Sequence, residues 1–350
     1  LKSYRDHLIQ SGASLIEALT KLDCLAKDAI LFVVNEENTL LGSLTDGDVR
    51  RGLLRNLTMD DVVDGFIQSK PKHIKKSNYS VQDIVSLRDN NFKVIPVLDD
   101  DERIINVINF RKQESYLPAD ALIMAGGRGS RLRPLTDTVP KPLLMVGDKP
   151  IIEHNIDRLK SFGIDDFHIS VRYLGEQLEN HYSKVHLDGV KMSFVWEDEP
   201  LGTLGAASLI HEFSHDYVLI TNSDILTTLN YEDFFVDFLE KGADMAVATI
   251  PYQVDIPYAV METNNGKVTS FREKPTYTYY SNAGIYLVKA SLLKSVPKNT
   301  FFNATDFMEN LIKNGRTLIS FPIRSYWLDI GKPEDYEKAQ IDIKQLKELL

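Results

Sequence analysis

The sequence predicts an α/β protein: a mostly parallel sheet with helices on both faces, preceded by a smaller α/β unit built from a repeat. Three observations point there. From residue 121 onward, short apolar runs (121–125, 167–171, 192–196, 217–221 and 245–250) alternate with longer stretches of helical periodicity such as 151–162 and 231–241. Ahead of residue 115, one pattern of strand, polar turn and strand occurs twice, offset by 64 residues (Asn35 to Asp99). The first apolar run of the larger part also ends directly in Gly126, Gly127 and Gly129.

In the first copy of the repeat, residues 30–34 and 39–45 flank a polar turn, and in the second residues 94–98 and 103–109 do. An amphipathic stretch precedes each pair, with Leu15, Ile16, Leu19 and Leu22 in one and Val81, Ile84, Val85 and Leu87 in the other. Two copies are too few for a solenoid, so the pattern predicts two small units packed together over residues 1–115. Periodicity breaks between Arg111 and Asp120, around Pro118, which puts a domain boundary there and a second domain at 120–350. Beyond residue 252 the strands shorten, and Asn264-Asn265-Gly266 reads as a hairpin turn joining 258–262 to 268–271. Residues 333–350 read as an amphipathic helix that covers the core.

Composition excludes several classes. Hydrophobic residues make up 43% of the 350 and charged ones 26%, enough for a real core and against extended disorder. Forty basic against fifty acidic residues leave −10, which disfavours nucleic acid and anionic membrane as partners. Cys24 is the single cysteine, so no intramolecular disulfide can form and a reducing, cytoplasmic setting is expected. No apolar run approaches the roughly 20 residues that span a bilayer, and residues 1–10 lack a signal-peptide core. The eight histidines show no ligand spacing, which argues against zinc.

The stretch Gly126-Gly127-Arg128-Gly129-Ser130-Arg131-Leu132-Arg133-Pro134, followed by Pro140-Lys141-Pro142, is the most informative. Glycines after a buried strand let backbone N–H groups approach a ligand and form an anion-binding concavity. Between Gly126 and Pro142 stand Arg128, Arg131, Arg133 and Lys141 against one acid, Asp137, a local cationic site suited to a polyphosphate. A Walker A loop needs Gly-Lys-Ser/Thr, which is absent from the sequence. A dinucleotide fingerprint needs glycine where Leu132 stands, and Pro134 spoils the helix that should follow, which disfavours an NAD-linked oxidoreductase.

These motifs resemble those of the sugar-1-phosphate nucleotidylyltransferases, over roughly residues 120–340, with Ser130 where threonine is usual. The resemblance implies a Rossmann-like, GT-A-like catalytic domain. It also implies that Arg131 and Lys141 clamp a triphosphate, with Ala125, Gly126, Gly127, Gly129 and Ser130 against the nucleotide. Asp224, in Asn222-Ser223-Asp224, and Asp329, in Trp327-Leu328-Asp329-Ile330-Gly331, would be the Mg²⁺ ligands. Glu273-Lys274-Pro275 and Asn282-Ala283-Gly284 match the segments that bind the sugar and its phosphate, Lys274 holding the phosphate. Ala259 stands where glycine is usual and still offers its N–H.

Glu197 stands where uridylyl- and thymidylyltransferases usually carry glutamine, ahead of Pro200-Leu201-Gly202-Thr203. An ionised carboxylate only accepts hydrogen bonds, which suits the paired donors of guanine and repels the acceptor edge of uracil. GTP is therefore the expected donor, and the pattern also resembles that of mannose-1-phosphate guanylyltransferases. A uridylyl- or cytidylyltransferase is the alternative. So is an inactive nucleotide-sensing protein, which loss of Arg131, Lys141, Asp224 or Asp329 would signal. Residues 1–115 resemble a pair of CBS domains, in which Thr45 and Asp48 would hold an adenine nucleotide; the second copy has lost both. Such pairs also favour a homo-oligomer. Resemblance to family members that carry CBS pairs implies a glucosamine- or mannose-type 1-phosphate for bacterial surface-glycan synthesis.

Overall fold

The computed structural model describes residues 3–184 and 189–346. Its centre is a seven-stranded sheet. In chain order the strands are β1 (Ala119–Met124), β2 (Asp166–Val171), β3 (Lys191–Trp196), β4 (Tyr217–Asn222), β5 (Met245–Asp255), β6 (Thr276–Lys289) and β7 (Leu318–Pro322). They lie in the order β3-β2-β1-β4-β6-β5-β7. Pairings are parallel except at β6, which runs antiparallel to β4 and to β5.

Alternation along the strands explains why helices cover both faces. Ala121 and Ile123 of β1 belong to the apolar cluster that takes in Ile152, Ile156 and Leu159 of helix Ile151–Ser161 and Phe234 and Phe238 of helix Tyr231–Glu240. Leu122, between them, points the other way, into a cluster with Val218, Ile220 and Phe307 of helix Ala304–Lys313. Strands buried on both sides read as continuous apolar runs, which is how they appear in the sequence.

The chain builds β1, β2 and β3 outward on one side, then returns to place β4 on the other side of β1. Loops leaving β1 and β4 therefore diverge, and a crevice opens between their carboxyl ends. In open α/β sheets this reversal is where ligands bind.

The repeat is structural as well as sequential. Leu8–Gln10, Leu31–Val34 and Leu40–Leu44 form one three-stranded sheet, and Ile74–Lys75, Val94–Leu98 and Ile104–Asn109 form another with the same parallel-then-antiparallel pairing. A register shift at Val33/Val34 recurs 64 positions on at Val97/Leu98. The two hairpins join through reciprocal bonds, Leu40 N to Glu102 O at 3.0 Å and Ile104 N to Asn38 O at 3.0 Å. Each partner is thus the other's counterpart in the repeat. Ile16 departs from expectation: it is 63% exposed, and Ala18 and Leu25 complete the buried stripe of helix Leu15–Leu25.

The segment joining repeat and sheet, where periodicity breaks, is packed. Ser115, Tyr116 and Leu117 are buried, and Val81 of the repeat belongs to the same apolar cluster as Ala119 and Phe162. Polar contacts reinforce the joint: Arg88 makes a two-pronged pair with Glu232 at 2.7 and 3.0 Å, Lys76 reaches Asp165 at 2.9 Å and Asp166 at 2.7 Å, and the Tyr116 hydroxyl donates to Asp165 at 2.5 Å. The last helix runs Pro333–Leu346, with Ala339, Ile343 and Leu346 buried; positions 347–350 of the expected helix lie outside the described residues. No helix among the described residues is long and apolar enough to cross a membrane.

Candidate active site

The crevice between β1 and β4 is a cleft of about 420 Å³. Its floor is the loop leaving β1. There Gly129 adopts φ +60° and opens the short turn Ser130–Leu132. A Cβ at Gly129 would lie 3.0 Å from Cβ of Lys141 and 3.0 Å from Cγ2 of Thr136, so the position demands glycine for conformation and for space alike. The Thr136 hydroxyl donates to the Gly129 carbonyl at 2.9 Å and fastens the turn.

Lys141 begins the turn Lys141–Leu143 and is only 8% exposed. Its ammonium contacts Oδ2 of Asp224, just past the end of β4. The short strand that follows, Ile225–Thr227, pairs antiparallel with Trp327–Asp329, placing Ile225 opposite Asp329. The Ile330 amide also donates to the Asp224 carbonyl at 3.0 Å. Two carboxylates far apart in sequence thereby become neighbours. Burial, and next the charge of Asp224, hold the Asp329 carboxyl above its ordinary pKa, against the opposing pull of Lys141 and Arg131. Arg131 packs across Gly331, where a Cβ would come within 3.3 Å of its guanidinium.

The far wall carries Glu197, 7% exposed. One carboxylate oxygen accepts from the Ser170 hydroxyl and the other from the Leu201 amide at 3.0 Å. Each oxygen keeps a second lone pair, so the carboxylate is fixed rather than consumed. A Cβ on Gly126 would meet Glu197 Oε1 at 3.0 Å, so this glycine lets the loop backbone lie against the carboxylate. Ala125, Gly127 and Ser130 line the cleft on the loop side, and Pro200 and Gly202 on the rim.

Residues 120–345 match the nucleotidyl transferase family model. The chain belongs to this family. Curated relatives include mannose-1-phosphate guanyltransferase of Schizosaccharomyces pombe, 32% identical over 226 residues, and UTP–glucose-1-phosphate uridylyltransferase of Synechocystis, 28% identical over 239. The chain spans about 62% of the length of these relatives, and the matches cover 62% and 63% of the chain itself. Among solved structures, HddC from Yersinia pseudotuberculosis is 26% identical with a TM-score of 0.51, covering 64% of this chain and 99% of that one.

Not every expected site residue of this nucleotidyl transferase lines the cleft. Glu273 and Lys274 are exposed, Ala259 is half-buried, and all three lie on an arm beyond the body of the sheet, outside the cleft lining. Strands β5 and β6 stay paired past the body as far as Asp255 opposite Thr276, and this ribbon carries the segment. Asn282 sits at its root, with its amide donating to the Tyr286 hydroxyl at 2.8 Å and its carbonyl accepting from the Gly284 amide at 2.9 Å. In the repeat, Thr45 and Asp48 satisfy one another in a capping box that opens helix Asp46–Leu54, and Arg51 takes the remaining Asp48 oxygen at 2.6 Å.

Arg172 lines the cleft although nothing in its sequence context singled it out. The available signal was its place directly after β2, at the same carboxyl edge as the glycine loop. Its Nε is buried without a hydrogen-bond partner. Phe301, 60% exposed, also borders the cleft. Of the loop's other cations, Arg128 stacks on Tyr173 with its guanidinium 5.8 Å from the ring centre, and Arg133 pairs with Asp137 at 3.1 Å.

The donors fit a hard divalent cation. Asp224 Oδ1 is buried with no hydrogen-bond partner, and Asp329 adds a second carboxylate beside it. A second cluster with ligand-like spacing, Asp120, Asp166 and His215, lies at the amino ends of the strands, the opposite edge of the sheet. There Asp120 accepts from His215 at 2.5 Å and from the Ser214 amide at 2.7 Å, while Lys76 occupies Asp166. Burial works against ionisation of Asp120, but His168, 3.5 Å away, and the hydrogen bond from His215 outweigh it and hold the carboxyl below its ordinary pKa. That cluster is an internal ion-pair network.

Proposed function

We propose that the chain transfers GMP from GTP to a sugar 1-phosphate. A phosphate oxygen of the sugar attacks the α-phosphorus, the bond from the α-phosphorus to the oxygen bridging to the β-phosphate breaks, and pyrophosphate leaves with the electron pair. The acceptor is an anion at neutral pH, so no base has to remove a proton. Alignment and charge neutralisation are then the whole task. One observation carries this reading: Arg131, Lys141, Asp224 and Asp329 converge beside the glycine loop at the sheet's reversal point.

In this reading the loop amides from Ala125 to Gly129 cradle the phosphates, and Arg131 and Lys141 hold the part that departs. Asp224 and Asp329 hold Mg²⁺, which when bound supplies positive charge to the phosphates. Lys141 exchanges Asp224 for the triphosphate as substrate enters. Glu197 accepts from the guanine edge, and Phe301 offers a face for the base. Glu273, Lys274, Ala259 and Asn282 serve the sugar and its phosphate. The likeness to a relative named as a mannose-1-phosphate guanyltransferase supports guanine and a mannose-type sugar. The uridylyltransferase relative keeps a uridylyl reading in play.

We read residues 1–115 as a CBS pair, 120–350 as the catalytic domain, and the protein as a cytoplasmic homo-oligomer serving bacterial surface-glycan synthesis. An adenine nucleotide at Thr45 and Asp48 would have to displace Arg51, which favours an assembly role for the pair. A pyrophosphate-release assay with four nucleoside triphosphates against mannose, glucose, glucosamine and heptose 1-phosphates tests the whole reading. GTP with a mannose-type acceptor is the expected best pair; no release from any pair would end it. A melting shift on adding AMP or ATP would restore the sensor role.

A further inference from the structure

Arg172 is a cation of the cleft that the reaction proposed above leaves without a task. Its side chain is 24% exposed, and its Nε is buried with no hydrogen-bond partner. The one acid paired with it among the described residues, Glu199, stands 3.7 Å away, beyond hydrogen-bond distance, and is itself 84% exposed. The other cations around the glycine loop have closer company: Lys141 rests on Asp224, Arg128 stacks on Tyr173 and Arg133 pairs with Asp137. A largely buried guanidinium without good acceptors is costly, and a ligand that brings the acceptor removes that cost.

The sheet places this cation beside Glu197. Arg172 follows Val171, the last residue of β2, and Glu197 follows Trp196, the last residue of β3. Val171 and Trp196 are in register, and the Glu197 amide donates to the Val171 carbonyl at 3.0 Å. The glycine loop lies against both side chains: a Cβ on Gly126 would stand 3.4 Å from Cβ of Arg172 and 3.0 Å from Oε1 of Glu197. Ser170, two residues before Arg172, donates its hydroxyl to the same carboxylate. The contact of Lys141 with Asp224 lies past β4, across β1 from this pair. The cleft therefore has two halves. One gathers cations and metal donors, and the other sets a single fixed donor group next to a single fixed acceptor group.

That second half matches one edge of one base. Guanine carries N7 and O6 as acceptors and, next to them, N1–H and the 2-amino group as donors. Adenine has an amino group in place of O6 and no hydrogen on N1, so both positions are reversed, and cytosine reverses them as well. Uracil offers O4 and N3–H in the matching order but then sets O2 against the carboxylate. We propose that Arg172 is a specificity-determining residue, its guanidinium donating to O6 of guanine while Glu197 accepts from N1–H and the 2-amino group. This rests on the reading of the cleft as a guanine-nucleotide site given above. Arginine suits the task because its charge-assisted donors meet the exposed oxygen of the base in a fixed fork.

The probe is 6-thioguanosine triphosphate, which keeps N1–H and the 2-amino group but puts sulfur, a weak acceptor, at position 6. In pyrophosphate release the wild type should use GTP at least about fivefold better, read as kcat/KM. Arg172→Met should lower kcat/KM for GTP at least about tenfold, mostly through KM, and narrow the preference over the thio analogue to within about twofold. Arg172→Lys keeps a charged donor without the fork and should fall between, at unchanged circular dichroism. An equal loss with both nucleotides would assign Arg172 to the triphosphate and overturn the proposal. So would wild-type use of GTP by Arg172→Met, or a wild type indifferent to the sulfur. A wild type that releases no pyrophosphate ends the transfer reading but not this one: calorimetry with GDP and 6-thioguanosine diphosphate then decides Arg172 by the same narrowing of preference. A wild type that binds UDP more tightly than GDP ends both.

Discussion

The Lys141 ammonium rests on the carboxylate of Asp224, beside a second carboxylate, Asp329. In the proposed reaction, a triphosphate bound by Lys141 would take its cation from Asp224 and free that carboxylate for a metal, which would couple nucleotide and metal binding through one side chain.

Replacing Lys141 with alanine should lower kcat on the order of 10²- to 10³-fold, the range seen when a group that stabilises transition-state charge is removed. Circular dichroism melting should move far less, since the residue sits at a cleft wall. Wild-type turnover by the purified variant would remove Lys141 from the chemistry.

Chelation should abolish pyrophosphate release and added Mg²⁺ should restore it. Asp224→Asn and Asp329→Asn should each weaken Mg²⁺ binding at least tenfold by calorimetry with a bound nucleotide analogue, because each deletes a charged oxygen donor. Unchanged metal affinity in both variants would place the ion elsewhere.

Glu197→Gln turns an acceptor-only group into one that also donates. The preference for GTP over UTP, read as a ratio of kcat/KM, should fall at least tenfold, about 1.4 kcal/mol. A ratio that stays put would show that the base is selected by other contacts.

Asp120 has a folded pKa below its ordinary value, despite burial, because the nearby His168 and the hydrogen bonds from His215 and the Ser214 amide favour its charged form. Such a carboxylate contributes stability that is present above its unfolded pKa, near 3.9, and is lost as pH falls through the lower folded value. Urea midpoints of the wild type should thus drop steeply below about pH 4. Asp120→Asn should be less stable at neutral pH and show a flatter acid limb; parallel curves would remove Asp120 from the acid transition.

The sheet and its cleft were legible because they obey local rules. Buried strands such as 121–125 and 217–221 announce themselves as apolar runs, and the glycine loop has few uses other than an anion. Pairings that depend on the return path of the chain were less visible. Asp224 and Asp329 were linked by motif, but their adjacency comes from Ile225 lying opposite Asp329, a register that no local pattern encodes. Arg172 escaped because one arginine after one strand is unremarkable until β1 and β4 define where ligands go. The arm was legible only at its tip, where Asn264-Asn265-Gly266 signals the hairpin of Val260–Asn264 with Lys267–Arg272; its long stem was not, because alternating Tyr, Val and Thr residues fit a half-buried strand and an exposed ribbon equally well. The joint at 115–117 escaped because a break in periodicity marks the end of an element, not its exposure.

Val81 lies at zero exposure in the cluster that also takes in Ala119 and Phe162. Sealing a valine from water contributes about 1.5–3 kcal/mol, a sizeable part of what holds a domain together. Cutting the chain at residue 115 would unroof that oily seam, strip Glu232 of Arg88 and leave Asp165 without Lys76 at one stroke. The amino-terminal third behaves as masonry for the seven-stranded sheet, and a trimmed chain would need a new lining before it could stand.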